Sequence, residues 1–459
     1  GPDSFIDKGL DREMAGKPML CLEIDEHTAD AGLLTRCEAF LDSIQGLKPP
    51  ARLARPKPRK RDIDLRSRVL YGPRMSDHCL GMAAAFRSCG IEARVLPETG
   101  PEAMDLARSY VSGKECYPCA VTTADLLAKV LAPDFDPERS AFFMPGGSGP
   151  CRFGQYAAHH RLVLEIAGAG DVPLYSPVQD ARLYRDLAGA GRGFSRRCWE
   201  AIVAFDVLQR CLFRVRPHEL DPGSADRLYA VASAGLERHL ADPKADIAAF
   251  LARACRTLAN VARKKEPRPV IGVVGEIFVR HNRFSNQDLV RRIEALGGEV
   301  RLAGMDEWVN YVTSVSLRET RLSRDLGRHL KLALRRRVQD SVTRRLERAA
   351  GALAAHEPDV EQLLDLASDY LPRDVRGEAV LTIGKALDLA AGSGRGAAGV
   401  ILAMPFGCMP GTIATALLRE AAAARNLPVL ALAFDGAVHP ASDLALEAFM
   451  EQCRARSGR

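Results

Sequence analysis

The chain has 459 residues, of which 47% are apolar and 27% charged, with a net charge of +6 and 12 cysteines. That length exceeds one ordinary core, so at least two domains of about 100–200 residues are expected. No uninterrupted apolar run reaches bilayer length, no basic segment leads into an apolar secretory core, and so small a net charge does not force a nucleic-acid partner.

Residues 1–62 read as an arm and linker. Gly1-Pro2 has the look of a scar left by protease cleavage of a tag, which predicts that the natural chain continues upstream. Residues 19–24 are a candidate strand and residues 31–44 a short helix. Lys48-Pro49-Pro50 and the basic, proline-bearing run 55–61 then break regular structure. A solvated linker explains that run better than a phosphate contact.

From residue 63 the pattern becomes alternating strand and helix. Residues 68–71 form a strand closed by Gly72-Pro73. Ser76 can cap a helix to about residue 89, which Gly90 closes. A strand at 93–96, a helix at 101–111, and a helix from about Thr122 to 131 follow. A strand at 141–144 stops at Pro145-Gly146-Gly147; a helix at 155–167 and a strand at 172–175 complete a first lobe, residues 63–193. Residues 194–266 read as two or three helices connecting the lobes. A second lobe, residues 267–459, opens on the continuous apolar run Val270-Ile271-Gly272-Val273-Val274-Gly275, as a central parallel strand requires. Strands at 299–302, 399–404 and 428–432, an Arg-rich helical stretch at 316–350, a helix at 411–425 and a terminal helix follow. The βαβ rhythm predicts an α/β protein of two Rossmann-like, flavodoxin-like lobes with parallel sheets.

Three cysteine-bearing loops stand out: Gly113-Lys114-Glu115-Cys116-Tyr117-Pro118-Cys119, Gly149-Pro150-Cys151-Arg152 and Phe406-Gly407-Cys408-Met409-Pro410. Cys151 and Cys408 each follow a strand end, where ligands of open parallel sheets collect. Cys116 precedes a helix, whose free N–H groups favour a thiolate. Adjoining glycines let the backbone approach a bulky group. The three loops can therefore share one interlobe cleft. Thiolates scattered over two lobes suit an iron–sulfur cluster. Cys116-x-x-Cys119 by itself suits a redox dithiol or half of a zinc site, and zinc could take all four thiols. Cys89, Cys198, Cys211, Cys255 and Cys453 lie in helix-like contexts and read as small core residues. Many cysteines without a secretory signal point to reduced thiols in the cytoplasm.

These segments, with Ile24-Asp25-Glu26-His27, Gly275-Glu276-Ile277-Phe278-Val279-Arg280 and Asn282-x-x-Ser285-Asn286, resemble the C-terminal region of a large protein family. That family is related to the activases of 2-hydroxyacyl-CoA dehydratases. The region itself is similar to the dehydratase catalytic subunit and to double-cubane cluster proteins. The resemblance covers nearly the whole chain. It implies a [4Fe-4S] cluster on Cys116, Cys151 and Cys408, with one iron left for substrate, water or another sulfur. Cys119 as a fourth ligand would close the cluster into an electron carrier. A double-cubane cluster needs roughly twice as many thiolates; Cys79 and Cys119 could join, but the last one needed is not found. The resemblance further implies low-potential electrons from an ATP-hydrolysing activase, fused upstream or separate. ATP is bound there and not on this chain. The acceptor would be a small substrate, a 2-hydroxyacyl-CoA or another reducible molecule.

Around the cysteines, Glu115 and Glu276 are candidate acid–base or substrate-binding groups, though each can also serve as a helix cap or structural acceptor. Arg152, Arg280 and His78 are candidates to bind substrate, with ion pairing or core packing as the alternative. Tyr117 and Tyr156 could shield a cluster from water. His159 and His160 share a helix on which only one can face inward, so surface positions are expected.

Overall fold

A computed structural model describes residues 18–22, 24, 28–45, 64–147, 149, 151–178, 187, 189–191, 193–353, 357–391 and 396–457. It divides into two compact units, Gly1–Ile63 and Asp64–Arg459. In the first unit, helix α1 spans Asp30–Ile44 and has no buried residue. The expected strand at 19–24 is absent among its described residues, and Asp25, Glu26, His27 and the basic run 55–61 lie outside the described residues.

The second unit holds both expected lobes and the helical connection. In the first lobe, β1 (Val69–Gly72), α2 (His78–Arg87), β2 (Ala93–Val95), α3 (Pro101–Arg108) and α4 (Tyr117–Val130) are followed by β3 (Ser140–Phe143), α5 (Tyr156–Ile166) and β4 (Leu174–Tyr175). The strands lie in the order β2-β1-β3-β4, all parallel. Phe86 of α2 packs edge-on against Phe143 and tilted against Phe194, which ties this sheet to the helices beyond it.

Helices α6 (Phe194–Val215), α7 (Ser224–Ala241) and α8 (Ile247–Ala259) form the connection. In the second lobe come β5 (Val270–Gly275), α9 (Ile277–His281), α10 (Leu289–Ala295), β6 (Glu299–Leu302), α11 (Met305–Leu322), α12 (Leu326–Ala350), α13 (Val360–Ala367) and α14 (Glu378–Ala391). The chain ends with β7 (Gly399–Pro405), α15 (Met409–Ala423), β8 (Val429–Phe434) and α16 (Pro440–Arg456). Their sheet runs β6-β5-β7-β8, again all parallel. Every residue of β5 is buried, because apolar clusters cover both of its faces.

The Arg-rich stretch is two helices rather than one, broken where Arg324 takes φ +56°. Val342, Leu346 and Ala350 of α12 pack into the α6–α8 bundle. Arg336 and Arg345 pair with Asp340, Asp359 and Asp246, so much of this charge is laid against carboxylates. Among the described residues no helix is long and apolar enough to cross a membrane.

Both strand orders place a switch in winding direction between the first and third strands, β1/β3 and β5/β7. Such a switch opens a crevice at the carboxyl ends of those strands. Four loops leave these ends, and they carry Ser76 and His78, Cys151, Glu276, and Cys408.

Candidate functional site

Three helical turns begin at cysteine. Cys116 is the N-cap of α4, Cys151 of the 3-10 turn Arg152–Gln155 that leads into α5, and Cys408 of α15. Their backbones nearly coincide, at φ −71°, −74° and −73° with extended ψ, and none of the three sulfurs closes a capping hydrogen bond. Proline inside the first turn fixes two of these starts, Pro118 and Pro410, since its missing N–H costs nothing there. Helix α4 therefore begins at Tyr117, not near Thr122. Two glycines hold the loops close. A Cβ on Gly275 would lie 2.1 Å from the Ala403 carbonyl oxygen across the β5/β7 seam, and one on Gly154 would lie 2.6 Å from that of Gly147.

Cys151 and Cys408 line a cavity of about 220 Å³ in the cleft between the sheets, together with Cys79, His78, Tyr156, Glu276 and Glu378. Cys116 joins through Tyr156, whose hydroxyl oxygen lies 2.6 Å from its sulfur. Burial pushes the Cys116 thiol up to about 11 and the Cys151 thiol to about 12, and it raises Cys408 further. Neighbouring negative charge adds to this: Glu276 acts on all three, Glu378 on Cys151 and Cys408. Each of Cys116 and Cys408 also interacts with Cys151. The N–H groups of Cys119, Phe153 and Gly411 pull the other way, toward thiolate. The arrangement is thus a set of desolvated thiols aimed by helix starts. A cation or an inorganic cluster would draw off their protons.

Among the described residues no three His, Cys, Asp or Glu side chains are grouped to hold one metal ion. A single zinc, at about 2.3 Å from each sulfur, would bring its ligands within about 4.6 Å of one another. A cluster stands between its thiolates and takes them further apart. Cys151 and Cys408 face an open cavity, with Cys116 bonded to Tyr156 in its wall, and such a spread suits a wider group better than a single ion.

The structure separates the other expected residues. Glu276 lies in the cavity wall, but its carboxylate accepts from the N–H groups of Phe278 (3.1 Å) and Val279 (2.8 Å), capping α9; burial is the main cause of its raised pKa. His78 also lines the cavity. Its ring nitrogens lie 3.1 Å from Ser76 Oγ and 3.0 Å from Asp206 Oδ1, so Ser76 holds this histidine instead of capping α2. Arg280 does not face the cavity. Fully buried, it donates to the Gly275 and Gly304 carbonyls and sits 3.5 Å from Glu378. Glu115 is likewise outside the wall; its carboxylate accepts from the Ser112 N–H and hydroxyl and faces His159 at 3.9 Å. Arg152 lies near enough to Cys116 to favour its thiolate. Cys119 is fully buried, one turn into α4. His159 and His160 are both buried, against the expected surface placement, and Thr122 Oγ1 lies 3.2 Å from His160 Nε2.

Glu378 is the residue that sequence reasoning missed. It begins α14, lines the cavity, and burial raises its pKa to about 8 despite the Arg280 guanidinium. A helix-initiating Glu is ordinarily a solvated residue that favours the macrodipole. Its partner lies 98 positions away, and no local pattern announces it.

No family model matches the chain, and no curated protein matches it in sequence.

Proposed function

We propose that this chain is an iron–sulfur protein holding a [4Fe-4S] cluster on Cys116, Cys151 and Cys408. It would receive low-potential electrons from an ATP-hydrolysing activase and deliver them to a small molecule in the cleft. The observation that carries this reading is the approach of three cysteine N-caps, drawn from both lobes, to one cavity, with Cys151 and Cys408 in its wall and Cys116 bonded to Tyr156 of that wall. When bound, such a cluster supplies single electrons at low potential and leaves one iron without a protein ligand.

The remaining chemistry belongs to the side chains. Glu378 keeps a proton on its carboxyl group at neutral pH and presents it to the cavity, where an accepting substrate oxygen would need one. Arg280 braces that carboxyl from behind. Trp308, Tyr311 and Val312 supply apolar wall that limits water. The family resemblance would make the reaction the radical dehydration of a 2-hydroxyacyl-CoA. An ATP-dependent reduction of another small molecule uses the same residues.

A closed electron relay is the second reading. It is favoured by the position of Cys119, one turn beyond Cys116 and, like Cys116 and Cys151, close enough to raise the Tyr156 pKa. Anaerobic purification followed by iron and acid-labile sulfide analysis tests both. Iron and sulfide at about four each per chain are expected, and zinc without sulfide would sink them together. Substrate-induced change in the electron paramagnetic resonance spectrum supports an open iron, and its absence with every candidate supports the relay.

A further inference from the structure

The cleft cavity does not end at the thiols. Met82, Pro145, Ile202, Trp308, Val309 and Val312 line it and also line a neighbouring chamber of about 120 Å³. The two spaces therefore adjoin across one shared wall of side chains. The far chamber is lined by Phe143, Phe194, Cys198 and Trp199, with Ser195 and Gln339 as its polar lining residues. The near end carries the thiols, His78, Glu276 and Glu378. The pair of chambers is thus amphipathic, polar at the cysteine helix starts and apolar toward α6.

The charges of the near end are balanced in place. Glu276 is held by two backbone N–H groups, Glu378 by Arg280, and Glu319 by Arg376 at 2.6 Å. Arg376 is the single arginine or lysine among the described lining residues. An anionic head would meet the Glu276 and Glu319 carboxylates with no uncommitted cation in the wall, and a cationic head would have to displace an existing partner. A neutral head needs neither change. An apolar cavity of about 150 Å³ is enough to take up benzene, so chambers of about 220 and 120 Å³ have room for a polar head and a separate hydrocarbon tail.

We propose that the two chambers form one binding site for a neutral oxygenated hydrocarbon, with a hydroxyl or carbonyl head beside Glu378 and an apolar tail passing Trp308 and Ile202 toward Trp199. This names the substrate class of the proposed reduction and rests on that reading for its catalytic meaning, while the binding itself requires only the cavity.

The test is calorimetric titration of the anaerobically purified full chain with unbranched 1-alkanols from butanol to decanol, with hexanoate and hexylamine as charged counterparts. Affinity is expected to rise about fourfold per added CH₂ until the far chamber is filled. Hexanol is expected to bind tighter than either charged analogue. Val312→Trp, from α11, and Ile202→Phe, from α6, narrow the passage from opposite sides. Each is expected to abolish the dependence on tail length, with an unchanged urea midpoint as the check on folding. Absence of saturable binding by every alkanol overturns the proposal. So does tighter binding of hexanoate or hexylamine, or a length dependence that survives in whichever blocked variant retains the wild-type midpoint. Iron and sulfide measured on the same samples separate the two ideas. Alkanol binding without a cluster leaves this site standing and removes the proposed function, whereas a cluster without alkanol binding does the reverse.

Discussion

The two sheets share one topology and carry different chemistry. In each, the first strand is central, the third lies beside it, and the order is second-first-third-fourth. The helix after the first strand has an acidic N-cap residue in both, Asp77 and Glu276. The turn after the third strand starts at a cysteine in both, Cys151 and Cys408. The last helix before the third strand breaks the correspondence: α4 starts from Cys116, while α14 begins with Glu378. The first lobe thus offers two N-cap thiols, and the second offers one N-cap thiol with two buried carboxyl groups. A repeated fold fixes where side chains can meet, and the residues placed there decide what the meeting does. Two thiols and an open cavity wall face carboxyl groups whose buried, protonation-prone state suits a site that gathers negative charge.

The correspondence between Cys151 and Cys408 predicts the largest effects. Cys151→Ala and Cys408→Ala should each lower iron content at least about tenfold, a loss of the size that even outer-shell partners of a metal site can cause. Cys116→Ala should match them. If one of the three keeps wild-type iron, the site is not shared between lobes in the way the N-caps suggest.

The next effect lies in the second lobe alone. Arg280→Met strands the Gly275 and Gly304 carbonyls and, above about pH 8 where Glu378 ionises, leaves that carboxylate without its buried cation. Breaking a buried pair of this kind costs about 3–5 kcal/mol, read from urea unfolding. Measured above about pH 8, adding Glu378→Gln should recover part of that loss, because it removes the orphaned charge. No recovery in the double variant would mean that Arg280 acts through the two carbonyls only.

Glu378 also gives this lobe a pH signature. Its pKa is raised in the fold, mainly by burial, to about 8 from an ordinary value near 4.5. Below 4.5 both folded and unfolded chains hold the proton, so its favourable contribution is complete there. As pH rises the unfolded chain ionises first, and that contribution is lost through to about 8. The urea midpoint of wild type should therefore fall more steeply between pH 5 and 8 than that of Glu378→Gln. Parallel curves would place the titration elsewhere.

Much of the scaffold could be read from the chain. Strands β5 and β7 are apolar throughout because both faces are covered, and the rhythm of strands and helices announced two parallel sheets. Boundaries failed where a local signal was passed over. Pro118 inside the first turn marks Tyr117 as the start of α4, and Pro410 does the same for α15. The thiols were legible because Gly and Pro punctuate their loops. Glu378 and the bracing role of Arg280 were not, because each is defined by a partner far along the chain. His159 and His160 both lie inside, because with Tyr156, Val163 and Leu164 they fall on the one stripe of i, i+3, i+4, i+7 and i+8 positions that α5 buries.

Cys119 is the finest point on which the two lobes can be told apart. It follows Cys116 by one turn, and its counterpart after Cys408 is Gly411, which carries no ligand atom. If α4 and α15 play the same part, each offers one sulfur and Cys119 is a packed core residue, with no exposed surface. Cys119→Ala should then lower stability by about 1 kcal/mol, the ordinary cost of trimming a buried side chain. Iron and sulfide per chain should be unchanged, as should any response of the reduced spectrum to an added alkanol. A loss of iron comparable to that of Cys116→Ala would make α4 a two-thiol helix with no equivalent in the second lobe, close the coordination, and favour the proposed relay over the proposed reductase.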